Sequence, residues 1–341
     1  MRRVRLNLEQ AAAAKQRVAV LFGGRSGEHD VSVISGRSVM DALDPQRFAV
    51  IPFPISREGR WQDGRILPEP GANPNIDVVF PVLHGTFGED GAMQGLLELA
   101  DLPYVGSGVL GSSLCMDKAA TKRMCRDAGI AVVDFVSGHS TESHQAIAAR
   151  AEAAFPYPHF VKPANLGSSV GISKAKDHAS LVEAIAKALR YDTTILVERA
   201  VDAQEIECSV LGNQVIAASI PGEVVPGKEF YDYEDKYLDG KAQTLIPANI
   251  TPEQQQAIRS ATIRVAQALH VEGMARVDFF LEKQTGKIFL NEVNTIPGFT
   301  SISMYSKMWE ATGIPYRDLL TRLIELAVER HERRRTLSFG R

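Results

Sequence analysis

With 341 residues, a net charge of −3, 45% hydrophobic and 23% charged side chains, the sequence has a globular composition and room for two or three compact units. The slightly acidic balance excludes the broad basic face of a nucleic-acid partner, and no apolar run approaches the roughly 20 residues of a membrane-spanning helix. Cys115, Cys125 and Cys208 are odd in number and lack metal-ligand spacing, so buried thiols in a reducing cytoplasm are expected.

Residues 1–16 begin basic, but Asn7, Glu9 and Gln10 interrupt any signal-peptide core, and the stretch reads as an extension. Residues 17–22 read as a buried strand running into Gly23-Gly24-Arg25-Ser26-Gly27-Glu28. A helix follows, with Val33, Ile34, Met40 and Leu43 expected on its inner face and Asp30 or Ser32 as N-cap. Strands at 48–55 and 78–83, the second ending at His84-Gly85, complete a strand–helix alternation that predicts α/β class with a parallel sheet. The glycine turn is not G-x-G-x-x-G, and no acidic residue closes the second strand where a ribose would sit, which argues against a nicotinamide cofactor. Glu28 and His84 fall just past strand C-termini, where open α/β sheets bind ligands, although either residue could serve as a cap or loop hydrogen-bonder.

The composition turns helical through 110–128, which carries Lys118 and Lys122. A second α/β unit begins near Val132, with a strand, a helix at 144–155, a strand at 159–162 ending in Lys162, a helix at 179–191 and a strand at 194–198. The loop 165–171 (NLGSSVG) follows Lys162. Its glycines allow close approach of backbone to phosphate oxygens, and its N–H groups and serine hydroxyls can donate to them. It lacks the G-K-[ST] of a P-loop, and taken alone an ordinary turn would look the same.

A third unit starts with a hairpin, 206–211 and 215–220, about Gly212-Asn213. Residues 223–241 hold few apolar side chains but four aromatics, Phe230, Tyr231, Tyr233 and Tyr237, and read as a lid that packs down. Thr251, Pro252 and Gln254 form a capping box with an N1 proline, opening a helix to about residue 270. Alternation in 276–281 and 288–294 predicts two strands joined by a short turn. Arg276 and Asp278 share one face of the first strand, and Glu292 and Asn294 share one face of the second. An odd number of turn residues at 283–287 would bring all four to the same side. Two carboxylates and an amide carbonyl suit Mg²⁺, although a solvated sheet face would carry the same residues. The loop after them, 295–301 (TIPGFTS), offers backbone N–H groups beside that set. A terminal helix at 316–330 buries Leu319, Leu320, Leu323, Ile324 and Ala327, and the arginines at 333–335 read as its solvated end.

These pieces occur in a specific order: GGxSxEH from Gly23, His84-Gly85, Met116-Asp117-Lys118, Val161-Lys162-Pro163, GSSVG at 167–171, Val197-Glu198, YDYxxKY ending at Tyr237, Arg276-Val277-Asp278, and NEVNTxPG from Asn291 to Gly298. From about residue 17 to about 326 the sequence resembles the D-alanine–D-alanine ligases of the ATP-grasp superfamily. The resemblance implies three α/β domains, a Rossmann-like N-terminal domain at 17–115, a central one at 116–205 and a C-terminal one at 206–341, with ATP between the last two. It implies that Lys118, Lys162 and Ser169 face the phosphates. Glu198 and the backbone of Arg199, Ala200 and Val201 would meet adenine, Glu205 the ribose, Phe280 the nucleotide pocket, and Lys236 the γ-phosphate. Asp278, Glu292 and Asn294 would hold two Mg²⁺ ions, with Mn²⁺ as a substitute. Glu28 would pair with the ammonium of the first D-alanine near His84, and Ser303 with the Met304 backbone would take the carboxylate of the second. Glu28, Ser168 and Tyr237 would form a hydrogen-bonded chain, and Arg276 with the Gly298 N–H would meet the developing oxyanion.

The implied reaction is ATP-dependent ligation of two D-alanines through a D-alanyl phosphate, releasing ADP and phosphate, for peptidoglycan precursors, by a cytoplasmic homodimer. A D-alanine–D-lactate ligase is the neighbouring alternative, and Tyr237 favours the dipeptide. A nucleotide-binding module without catalysis would be favoured by loss of a metal ligand or phosphate lysine, and all of these are present.

Overall fold

The strand β1 (Gln16–Gly23) carries Val18, Ala19, Val20 and Leu21 with no solvent exposure, as befits a strand covered on both faces. The computed structural model describes residues 15–167, 170–225 and 243–338. In it β1 is the middle of a three-stranded parallel sheet, flanked by β2 (Phe48–Ile55) and β3 (Val78–Val82). The expected parallel unit is therefore present. Its first helix, α1 (His29–Ala42), departs from expectation in two ways. Glu28 is the N-cap residue, and the buried face is Ser32, Ser35, Gly36 and Val39, while Ile34 is 59% exposed; of the four residues expected inside, Leu43 is buried and Met40 packs against the same core. The helix lies directly on the strand: a Cβ at Gly36 would come 2.6 Å from the Phe22 Cβ. Small polar residues replace the apolar stripe there because they bond the sheet. The Ser32 Oγ accepts from the Gly23 N–H at 2.8 Å and donates to the Val82 carbonyl.

After α2 (Ala92–Leu99) the helical stretch expected over 110–128 is two helices, α3 (Val109–Met116) and α4 (Lys118–Asp127). The break is chemical. Asp117 takes an extended conformation, and its carboxylate accepts from the Ala119 and Ala120 N–H groups at 2.8 and 2.9 Å, as an N-cap does. Lys118 is thereby placed in the first turn of α4.

The second sheet has the order β4 (Phe135–His139), β7 (Thr194–Arg199), β5 (His159–Pro163), β6 (Ser173–Ala175), all antiparallel. Helices α5 (His144–Ala154) and α6 (His178–Ala188) pack on the side of Ile195, Val197 and Val161. By the period of two, Lys162, Leu196 and Glu198 point to the other side, toward α4.

The third sheet runs β11 (Gln243–Leu245), β10 (Gly222–Val225), β8 (Ala203–Gly212), β12 (Gly273–Glu282), β13 (Ile288–Asn294), with β9 (Ile216–Ala218) hairpinned on the end of β8 as expected. Residues 223–225, assigned to the lid from sequence, belong to β10, and 226–242 lie outside the described residues. Helix α7 (Pro252–Ala268) has the expected Thr251 capping box and covers the face carrying Ala275, Val277, Phe279 and Leu281. The opposite face of β8 and β12 is the one that concerns function.

Helix α8 (Met304–Ala311) and the terminal α9 (Tyr316–Arg335) close the chain. Leu319, Leu320, Leu323 and Ile324 join Val18, Val39 and Phe80 in one core, so the end of the chain packs on the first sheet. Arg334 and Arg335 are exposed, as expected of a solvated helix end, but that end is not free. Arg330 is buried and donates to the carbonyls of Gly106 and Tyr104, while Arg333 and Arg334 pair with Glu272 and Glu98. Cys115, Cys125 and Cys208 are buried free thiols, and among the described residues no helix is long and apolar enough to cross a membrane.

Candidate active site

The hairpin β12–β13 sets Arg276 opposite Asn294 and Asp278 opposite Glu292, so all four share a face. The reason differs from the expected one. Glu282 donates to the Lys287 carbonyl at 2.9 Å, which leaves an even turn of four residues, 283–286. That register would place Glu292 across from Val277, facing α7. A bulge between Asp278 and Phe279 leaves Asn291 as the extra residue on β13 and shifts the pairing by one. The bulge is what turns Glu292 and Asn294 to the face of Asp278. On the other side of β12, β8 sets Glu207 opposite Asp278 and Glu205 opposite Phe280.

This face is held together by charge. The Arg276 guanidinium donates to both Asp278 carboxylate oxygens at 2.7 Å and lies 3.2 Å from Glu207. Burial works against its charge, but Asp278 and Glu207 outweigh it and hold the guanidinium protonated. Asn294 donates to Asp278 at 3.1 Å. The Lys118 ammonium lies 3.4 Å from Glu292 and donates at 2.7 Å to the carbonyl of Leu166, just before Gly167. Lys162 reaches Glu198 at 2.8 Å and Asn291 at 3.3 Å, over the Phe280 ring.

Behind Lys162, Glu198 also meets Lys122 at 3.0 Å, an ion pair whose angles miss hydrogen-bond geometry. Burial would raise the Glu198 carboxyl, but the two lysines overcome it and hold the pKa at about 2. Lys162 is pushed up, Glu198 overriding its burial, whereas burial pushes fully enclosed Lys122 down in spite of Glu198. Lys122→Met should cost about 3–5 kcal/mol of stability, the usual consequence of removing one partner from a buried charge cluster. A depressed carboxylate pKa stabilises the fold above its unfolded value of about 4.3, and the contribution fades as pH falls from there toward about 2. Unfolding free energies should therefore show the wild-type advantage shrinking below about pH 4. A gap independent of pH would remove the charge cluster as its cause.

On the other side of Leu166 stands Glu28, at the start of α1. A Cβ at Gly85 would come 2.8 Å from its carboxylate oxygen, and one at Gly167 would come 3.2 Å, so the carboxylate fits between the His84-Gly85 turn and the glycine loop. Gly85 also has φ +76, a second reason for glycine. His84 is 4% exposed. Its Nδ1 bonds the Ile296 carbonyl at 2.9 Å and its Nε2 the Ser35 hydroxyl at 3.0 Å, and burial keeps it neutral against the pull of Glu28. Glu89, also buried, accepts from the Gly85 and Ile296 N–H groups at 2.8 and 3.1 Å; burial and Glu28 push its pKa up to about 8. Ser303 stands at the N-cap position of α8 without a side-chain bond to the helix, its Oγ accepting instead from the Thr300 N–H at 3.0 Å on the side of Gly298. Ser168, Ser169, Lys236, Tyr237 and the other lid aromatics lie outside the described residues.

The donor set fits a hard divalent cation. Asp278, Glu292 and Asn294 offer oxygen only, from adjacent strands, and their charge is met here by Arg276 and Lys118. Two carboxylates and an amide do not enclose an ion, which matches the preference of Mg²⁺ for carboxylates shared with phosphate oxygens.

Residues 17–73 and 67–107 match the family model for the D-ala D-ala ligase N-terminus, and 124–325 match that for the D-ala D-ala ligase C-terminus. The D-alanine–D-alanine ligase of Solibacter usitatus is 54% identical over 327 residues, 96% of this chain and 100% of the relative. That of Caldicellulosiruptor bescii is 46% identical, covering 96% and 99%. The chain belongs to the D-alanine–D-alanine ligase family. Among solved structures, the D-alanine–D-alanine ligase of Coxiella burnetii superposes with a TM-score of 0.86 at 36% identity, over 95% of this chain and 97% of that one. The D-Ala:D-Ser ligase of Enterococcus faecalis superposes at 0.83 and 34% identity, over 92% and 99%.

For a D-alanine–D-alanine ligase family member, the structure gathers Lys118, Lys162, Glu205, Arg276, Asp278, Phe280, Glu292 and Asn294 at one sheet face, while Glu28, His84, Gly298, Ser303 and Met304 come from the first unit and the loop into α8. Glu198 is engaged through its side chain with two lysines, and the N–H groups of Arg199 and Ala200 bond the carbonyls of Asp134 and Pro158. Sequence reasoning missed Lys122, Glu207, Ser35 and Glu89 as parts of this region. Two left a signal. Lys122 stands four residues after Lys118 on the same helix, and Glu207 two after Glu205 on one strand face. Ser35 and Glu89 left none, since their partners are 264 and 207 residues away.

Proposed function

We propose that this family member joins two D-alanines at the cost of ATP, on the face where Arg276, Asp278, Glu292 and Asn294 stand together beside Lys118 and Lys162. That juxtaposition of oxygen ligands and phosphate-seeking ammonium groups is the observation that supports the reading. A carboxylate is a poor electrophile, so the first D-alanine must be activated. Its carboxylate oxygen attacks the γ-phosphorus, the bond to the bridging oxygen of ADP breaks, and a D-alanyl phosphate forms. The deprotonated amine of the second D-alanine then attacks the acyl carbon, and phosphate leaves from the tetrahedral intermediate.

The roles of the residues follow from charge and reach. Lys118 and Lys162 would neutralise phosphate oxygens beneath the glycine loop with Ser168 and Ser169, and Lys236 would meet the γ-phosphate. Two Mg²⁺ ions, with Mn²⁺ as substitute, would be held by Asp278, Glu292 and Asn294 and would supply charge neutralisation on the phosphates. Adenine would lie along 199–201, near the Lys162–Glu198 pair, and Glu205 would take the ribose. Glu28 would orient the first D-alanine by its ammonium, near His84, and would tie to Ser168 and Tyr237. Ser303 and the start of α8 would hold the carboxylate of the second, a helix N-terminus favouring an anion. Arg276 and the Gly298 N–H would stabilise the oxyanion. Closure of a lid formed by the rest of the 223–241 stretch, 226–241, would protect the acyl phosphate from water. Domain boundaries at 115 and 205 would put the nucleotide between the second and third sheets. A cytoplasmic homodimer, expected from the resemblance, completes the proposal.

One assay tests it. With Mg²⁺, ADP release should depend on D-alanine and yield D-alanyl-D-alanine. ADP release indifferent to D-alanine, or none at all, would overturn the reading. Acceptor competition with D-serine and D-lactate addresses the alternatives, since family members differ in acceptor, and Tyr237 favours the amino acid.

A further inference from the structure

Three side chains of the first unit converge on the short segment 295–299 that carries Gly298. The Ser35 hydroxyl accepts from the Phe299 N–H at 3.2 Å, His84 Nδ1 bonds the Ile296 carbonyl at 2.9 Å, and Glu89 accepts from the Ile296 N–H at 3.1 Å. Both backbone groups of Ile296 are thus held from across the interface, and Phe299 is held on the far side of Gly298. The three side chains are also linked to one another: Ser35 bonds His84 Nε2, and Glu89 bonds the N–H of Gly85, next to His84. All three are buried, so no water competes for these bonds. From its own unit the segment is held, among the described residues, at one further point, the Phe299 carbonyl, which accepts from the Tyr316 hydroxyl at 3.2 Å.

We infer that Ser35, His84 and Glu89 are positioning residues that set the Gly298 segment, and with it the start of α8, for attack by the second D-alanine. The inference rests on the reading of Gly298 as an oxyanion donor. These residues touch no reacting atom. Their effect falls on the second chemical step, while nucleotide binding by Lys118 and Lys162 on the other side of the site stays as it is. A loop displaced by even 1 Å slows aminolysis and leaves more of the acyl phosphate to water.

The test is Glu89→Gln. The Gly85 and Ile296 N–H groups bond different oxygens of Glu89, and an amide sets an NH₂ donor against one of those two N–H groups. In the wild type one ADP should be released per dipeptide. In the variant this ratio should rise about twofold or more, with the KM for ATP unchanged. Simple destabilisation would lower ADP and dipeptide together and leave the ratio at unity. Should Glu89→Gln fail to fold, Ser35→Ala, which removes only the Phe299 tether and the His84 partner, carries the same expectation. A ratio of unity in a folded variant overturns the inference while the ligase reading stands; absence of D-alanine-dependent ADP release in the wild type overturns both.

Discussion

Glu292→Gln should lower D-alanine-dependent ADP release by about 10³-fold or more, without loss of the fold. Glu292 stands directly across from Asp278, and both owe their common face to the bulge at Asn291. The substitution keeps the shape of the side chain but removes one of the two negative charges available to a divalent ion. Phosphoryl transfer gathers charge on the oxygens that such an ion neutralises, so the loss falls on the chemical step. The fold should survive because Glu292 is 23% exposed at its side chain and Lys118 keeps the Leu166 carbonyl as partner. A partly exposed pair of this kind contributes roughly 1 kcal/mol or less. Activity titrated against Mg²⁺, with a thermal melt alongside, checks both halves. Full activity at saturating Mg²⁺ would refute the metal role.

Arg276→Ala should reduce kcat by about 10²–10³-fold with little change in the KM for ATP, the signature of a group that acts on a developing oxyanion. It should also cost stability, which distinguishes it from the first variant. The guanidinium is the shared counter-charge of Asp278 and Glu207, whose side chains are 12% and 8% exposed. Without it the two carboxylates face each other across neighbouring strands at a cost of about 3 kcal/mol, the low end for breaking a buried pair because Arg276 itself is 19% exposed. Kinetics must therefore be measured well below the melting transition. A pure KM effect at full kcat would speak against oxyanion binding. Loss of Mg²⁺ affinity alone would assign Arg276 to holding Asp278.

The two variants probe the same face at opposite strengths of support. Glu292 is replaceable in the fold because its partner has another bond. Arg276 is not, because two acids depend on it. The buried Lys122–Glu198–Lys162 cluster extends this logic one layer deeper: Glu198, held between two lysines, fixes where Lys162 can point.

The local chemistry of the chain determined much of this. Strands, the Thr251 capping box, the glycine loop and the pairing of Arg276 with Asp278 and Glu292 with Asn294 on strand faces are readable because alternation and capping act over a few residues. The same locality explains the failures. Ile34 looked apolar enough to be core, but the close approach of α1 to β1 at Gly36 chose serines for that face. The stretch 110–128 looked like one helix until Asp117 capped the second. Whether the two halves of the metal set would meet depended on turn length and an unpaired Asn291, a matter of parity that alternation within either strand cannot report. Ser35, His84 and Glu89 found their partners only when the third unit packed on the first, because hydrogen bonds between groups more than 200 residues apart exist only once burial has brought them together and excluded the water that would otherwise serve both.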